Sequence, residues 1–320
     1  MIGEIMQNTE FEKSRRFYEN KVAPMIKEKF PEYESRIAVG LAGEGSDCFG
    51  YDDYMSRDHD FGTGVCLWLT DEDFDEIGCL LSIAYNELAM QYGGENLTER
   101  LQERRGVMTI RSFYSNILYI DCNTKECIIT ENDWLSLEHS CLATATNGEI
   151  FRDDLGEFTR FRNFLLSYYP DSIWRRRIVN ELHQFSAALQ VNYARCMTRN
   201  DIVAAELCRS KGLEAAMELY FLLNRKFAPY YKWTYKALSE LDNDGEFAML
   251  IKKLASNISD DAAWRFNAYN PRNINMKDNV IATAEEIAKV LVNLLRKNNL
   301  IKGSDSYLEI YINDILKEVG

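Results

Sequence analysis

Residues 40–62 read GLAGEGSDCFGYDDYMSRDHDFG, with five aspartates and five glycines in 23 positions. An apolar run, RIAV at 36–39, precedes them, and TGVCLWL at 63–69 follows. Both runs are short and rich in β-formers, so both are expected as strands, and the acidic, glycine-rich stretch is expected to connect them. The question this stretch poses is whether it is a solvated loop or a site for a metal ion and phosphate.

Asp58 and Asp60 stand two apart at the start of the second expected strand, where side chains at i and i+2 share a face. Two carboxylates on one face repel unless a cation lies between them. Mg²⁺ suits them, because it takes oxygen ligands and commonly uses one or two carboxylates with substrate phosphates. Gly45 and Ser46 follow the first strand. Glycine there permits a tight turn and a close backbone approach. Successive amides can then form an anion-binding concavity, to which the serine hydroxyl adds a donor. Asp47, Asp52 and Asp53 read as solvated or capping residues, and His59 as pointing to the opposite face.

An apolar strand, Gly45-Ser46, eleven residues and then Asp58-x-Asp60 followed by Phe61 resembles the signature of the nucleotidyltransferase superfamily that includes DNA polymerase beta and the kanamycin nucleotidyltransferases. The longer strings GSDCFGYDDYMSRDHDFG, GEIFRDD and NRKFAPYYKW are similar to a bacterial branch known mainly as a domain of unknown function. The resemblance implies Mg²⁺, two ions in the expected arrangement, and an NTP as substrate, with Asp58 and Asp60 as metal-holding catalytic residues and Gly45 and Ser46 on the nucleotide. It also implies a third carboxylate from a later segment. GVMTIRS carries no acid, which leaves Asp121, Glu149 and Asp153; Asp153 in GEIFRDD is the expected one. Lys232 in YYKW is the expected basic residue on the triphosphate. A protein-kinase glycine loop is excluded, because no room exists between GEGSDCFG and HDFG for a strand lysine, a helix glutamate and a catalytic loop.

The rest of the chain fits a cell-interior protein of ordinary composition. Of 320 residues, 46% are apolar and 27% charged, enough for two domains. The formal net charge of −13 argues against duplex nucleic acid as a partner and favours a cationic small molecule or a basic protein. Eight cysteines form no CxxC pair or zinc-like spacing and are expected as reduced thiols. No apolar stretch reaches membrane-spanning length, and a cytoplasmic location is expected.

Residues 10–30 and 71–94 carry helical patterns. GVMTIRSF, NILYIDC and CIIT are strand candidates. Beyond residue 131 the pattern turns helical, with Asp171 expected as one N-cap and Thr283 with Glu286 as a capping box. The expected fold is α+β: a small mixed-sheet domain over 1–130, then an all-helical bundle over 131–320. The expected activity is transfer of a nucleoside monophosphate from an NTP to a hydroxyl of a small molecule or protein. The alternatives are a catalytically silent nucleotide-binding module and a toxin-neutralising partner of the same fold.

Overall fold

The computed structural model describes residues 10–51, 63–93, 104–258, 261–265, 267, 269–270 and 274–317. The chain is mixed α/β and mostly helical, and divides into two compact units, Met1–Ser167 and Tyr168–Gly320.

In the first unit, helices α1 (Glu10–Phe17) and α2 (Ala23–Lys29) are joined by a π-helical turn, and strand β1 (Ala38–Leu41) follows. Strand β2 (Cys66–Leu69) leads into helix α3 (Asp71–Gly93). Thr70 starts α3: its hydroxyl accepts the Asp73 amide at 3.2 Å and donates to the Asp73 carboxylate at 3.0 Å, a reciprocal cap. Strand β3 (Gly106–Thr109) runs directly into helix α4 (Ile110–Leu118). Helices α5 (Glu131–Ser136) and α6 (His139–Thr146) precede strand β4 (Glu149–Arg152), and α7 (Glu157–Leu166) closes the unit.

The sheet order is β3-β2-β1-β4, with β1 antiparallel to β2 and β4, and β2 parallel to β3. Every residue of β1 and β2 is buried, as befits strands covered on both faces. The alternation of β2 separates two cores. Leu67 and Leu69 join Phe17, Ile26, Val39 and Leu81 on one face. Trp68 faces the other way, stacked on Phe158 at 3.9 Å and edge-on to Phe113 at 5.3 Å.

Three sequence expectations change here. NILYIDC is not a strand, because its first residues belong to α4, and CIIT contributes only an isolated bridge between Asn123 and Ile128. The sheet-bearing unit also runs past residue 130, because β4 pairs with β1 through Leu41↔Glu149.

In the second unit, α8 (Asp171–Phe185) packs on the long α10 (Ile202–Leu223), with a π-helical segment and α9 (Tyr193–Thr198) between them. Gly212 of α10 lies where any side chain would strike Leu189. Trp174 donates its indole N–H to the Leu222 carbonyl at 2.8 Å, which fixes that helix pair. Helices α11 (Tyr231–Leu241), α12 (Glu246–Ser256), the short α13 (Asp261–Trp264), α14 (Asn279–Lys297) and α15 (Ile312–Leu316) follow. Two expected caps move. Asp171 is the first helical residue after Pro170, and α14 starts at Asp278, so Thr283 lies inside the helix. Among the described residues no helix is long and apolar enough to cross a membrane.

Candidate functional site

The registers Gly40↔Cys66, Cys66↔Gly106 and Leu41↔Glu149 put four chain ends at one edge of the sheet. These are the end of β1 and the starts of β2, β3 and β4. Whatever leaves β1 or enters the other three strands converges there. The segment from Ala42 to Tyr51 leaves β1 at this edge, and Thr63 begins the return to β2. Asp58 and Asp60, with Arg57, His59 and Phe61, lie between them and outside the described residues.

Gly43 and Gly45 have φ of +102° and +120°, while Ser46 has −64°. The backbone thus alternates in handedness through Glu44, the pattern that turns successive N–H groups inward. A 3₁₀ turn, Asp47–Phe49, closes the loop, with Gly50 N donating to Asp47 O at 3.0 Å and Tyr51 N to Ser46 O at 2.8 Å. Among the described residues, nothing accepts from the amides of Glu44, Gly45, Ser46 and Asp47.

Three clamps hold this loop. The Asn147 carboxamide accepts from Gly43 N and donates to Gly43 O, both at 2.8 Å. Asn147 itself follows α6, whose last carbonyl, on Thr146, accepts from Arg162 at 2.7 Å. Arg104 donates to Glu44 at 3.1 Å. Arg105, 4% exposed, donates to Asp47 at 2.9 Å and to Cys48 Sγ at 3.2 Å. Of the two roles expected for Asp47, solvated or capping, the first gives way to a buried ion pair, while its carboxylate also accepts from Cys48 N at 2.9 Å.

Burial opposes the Arg105 charge, but the surrounding acidic groups, of which Asp47 also accepts its hydrogen bond, outweigh it, and the guanidinium titrates above its ordinary value. Burial also pushes the Cys48 thiol up, against the pull of Arg105. Cys48 therefore stays a neutral thiol, and the Asp47 carboxylate is the charge that balances Arg105. A buried thiol of this kind is no nucleophile.

Glu149 opens β4 beside the end of β1, half-exposed and paired with Arg15 at 2.8 Å. Asp153 follows the other end of β4 and emerges at the opposite edge. Its two oxygens accept from Gly156 N at 3.0 Å and Thr159 N at 2.7 Å, which fastens the first turn of α7. Asp153 is thus a capping residue away from Gly45 and Ser46. Of the two acids that flank β4, Glu149 is the one at the end of the sheet where the Gly45-Ser46 loop leaves β1. Asp121 is exposed and forked by Arg111 at 2.6–2.9 Å. Lys232 stands exposed in the first turn of α11 in the other unit, its Nζ 5.1 Å from the Trp233 ring centroid. Among the described residues no group of three or more His, Cys, Asp or Glu side chains could hold a metal ion. The sequence missed Arg105 and Asn147. Their only signal is polarity beside a strand start, which many loop residues share.

The profile of a family described as a domain of unknown function (DUF4037) matches residues 134–234, from Trp134 of α5 to Thr234 of α11. That match includes Asn147, Glu149, Asp153 and Lys232 and begins after the Gly45-Ser46 loop. No curated protein and no solved structure matches the chain.

Proposed function

We propose that the chain is a Mg²⁺-dependent nucleotidyltransferase that moves a nucleoside monophosphate from an NTP to an acceptor hydroxyl. The observation that carries this is the loop at Gly43–Asp47. It has alternating handedness and four amides with no acceptor among the described residues, and it is pinned by Asn147, Arg104 and Arg105 at the edge where four strand ends meet. A pre-organised row of donors on a rigid support suits a triphosphate, because its geometry is set before the ligand arrives.

The donor set fits the ion. Asp58 and Asp60, between Tyr51 and Thr63 in sequence, would offer hard carboxylate oxygens to it. Mg²⁺ held there supplies charge neutralisation for the triphosphate. The acceptor oxygen forms a bond to the α-phosphorus, and the bond to the bridging oxygen breaks. Pyrophosphate leaves with that electron pair. The hydroxyl proton passes to a carboxylate, and Glu149 is the acid at the right edge for it. Positioning and fixed charge supply most of such a rate enhancement.

Incubation with each NTP, Mg²⁺ and a panel of cationic small-molecule and protein acceptors should release pyrophosphate. Asp58→Asn and Asp60→Asn should each abolish it while tripolyphosphate binding persists. Undiminished turnover in both variants rejects the mechanism.

A second reading, a nucleotide-binding module without transfer, is favoured by one observation. The acids described at this edge are all engaged: Glu44 by Arg104, Asp47 by Arg105 and Glu149 by Arg15. Tight Mg²⁺-dependent NTP binding with no pyrophosphate release over the whole acceptor panel would select it.

A further inference from the structure

Beside the amide loop lies a cleft of about 220 Å³, floored by Gly43 and Glu44, bordered by Arg104, which is paired with Glu44, and walled by Met108, Phe113, Asn116 and Ile117. We propose that it seats the base of the bound nucleotide and that Asn116 selects adenine; this rests on the nucleotide reading of the loop. Position is the first support. The floor residues immediately precede Gly45 and Ser46, and two residues of chain reach no more than about 7 Å. One nucleotide can therefore place phosphates on the amides and its base in the cleft.

The walls have the chemistry of a ring site. Met108 and Ile117 are half-buried, and Phe113 lies beneath them, locked edge-on against Trp68 at 5.3 Å and Tyr114 at 5.1 Å. A thioether and a fixed aromatic wall favour a flat ring. The floor stays open because residue 43 has no side chain: a Cβ there would sit 3.1 Å from Phe113 Cε2.

The polar groups choose the base. Asn116 is exposed on α4, and its carboxamide has no hydrogen-bond partner among the described residues. It offers one acceptor and one donor side by side. Adenine presents the matching pair, an amine donor and the N7 acceptor, whereas guanine presents two acceptors on that edge.

Binding of ATP, GTP, CTP, UTP and tripolyphosphate to the full chain with Mg²⁺, measured by calorimetry, tests this. ATP should bind about 10- to 100-fold more tightly than GTP, the range of one two-point base contact. Asn116→Ala should erase that preference and leave tripolyphosphate affinity unchanged; an intact tripolyphosphate site shows that the variant is folded. Equal binding of all four nucleotides, or an ATP preference that survives Asn116→Ala, overturns the base cleft while leaving the phosphate loop standing. Failure of tripolyphosphate and of every NTP to bind removes the loop reading, and the base cleft with it.

Discussion

At the scale of the residue, the buried pair of Arg105 and Asp47 carries more weight than any single group the sequence singled out. The guanidinium is 3% exposed and the carboxylate 12%, and they meet at 2.9 Å behind the amides of Gly45 and Ser46. Arg105→Met leaves the carboxylate buried and uncompensated, a loss of about 3–5 kcal/mol for a pair of this kind. Adding Asp47→Asn removes the stranded charge and should restore part of that stability. Urea denaturation of the single and double variants measures both, and a single variant within about 1 kcal/mol of the parent would mean the loop does not depend on this pair. The turn at Gly45 and Ser46 was legible as a glycine loop leaving a strand, because that signal is local: an apolar run followed at once by glycines. Arg105 was not legible, because it reaches Asp47 across 58 positions, and no short-range pattern encodes such a pairing.

At the scale of the element, strand direction decides what a carboxylate can do. Because β4 runs antiparallel to β1, its first residue, Glu149, shares the edge of the amide loop, and Asp153 leaves at the far side. Asp153→Ala should therefore cost about 1 kcal/mol through loss of the α7 cap and leave kcat unchanged. Glu149→Gln should leave stability nearly unchanged and lower kcat by about 100-fold or more, the usual contribution of a general base. Thermal denaturation and pyrophosphate release, run on both variants, separate the two; the reverse pattern would return the proton to Asp153. The same scale explains where the sequence misled. β1, β2 and α3 were legible from their apolar runs and capping residues. In α4, Ile110, Phe113, Tyr114, Ile117 and Leu118 recur at helical spacing, yet the short run NILYI outweighed them as an extended pattern. What starts the helix is Thr109, whose hydroxyl accepts the Ser112 amide at 2.9 Å. A strand that becomes a helix within one residue carries both periodicities at once, and neither dominates a short window. The cap of α14 lies five residues before the expected Thr283, because Asp278 is fully buried and spends its carboxylate on Val280 N, Ile281 N and the Trp264 indole.

At the scale of the whole molecule, the net charge of −13 means that carboxylates dominate the response to pH. Among the described residues, Glu218 of α10 lies half-buried beside other acids. Burial first, and then the neighbouring Glu181 and Glu214, raise its pKa from the usual 4.5 to about 8, against the pull of Arg177. Burial also raises Glu181, with Glu214 adding to it and Asn180 and Arg177 opposing. The folded chain therefore keeps a proton on Glu218 that the unfolded chain has already released above pH 4.5. In that window the unfolded state binds fewer protons, so stability falls as pH rises from about 4.5 to about 8 and levels off beyond. A loss on the order of 2 kcal/mol, taken well below the full shift because Glu218 is only partly shielded by side chains, lowers Tm by about 4–8 °C. Glu218→Gln holds a neutral, hydrogen-bonding side chain at every pH, so it should raise Tm at pH 8 and flatten the decline between pH 5 and 8. Calorimetry of parent and variant at three pH values reads this directly, and parallel pH profiles would show that Glu218 is ionised in the folded chain throughout.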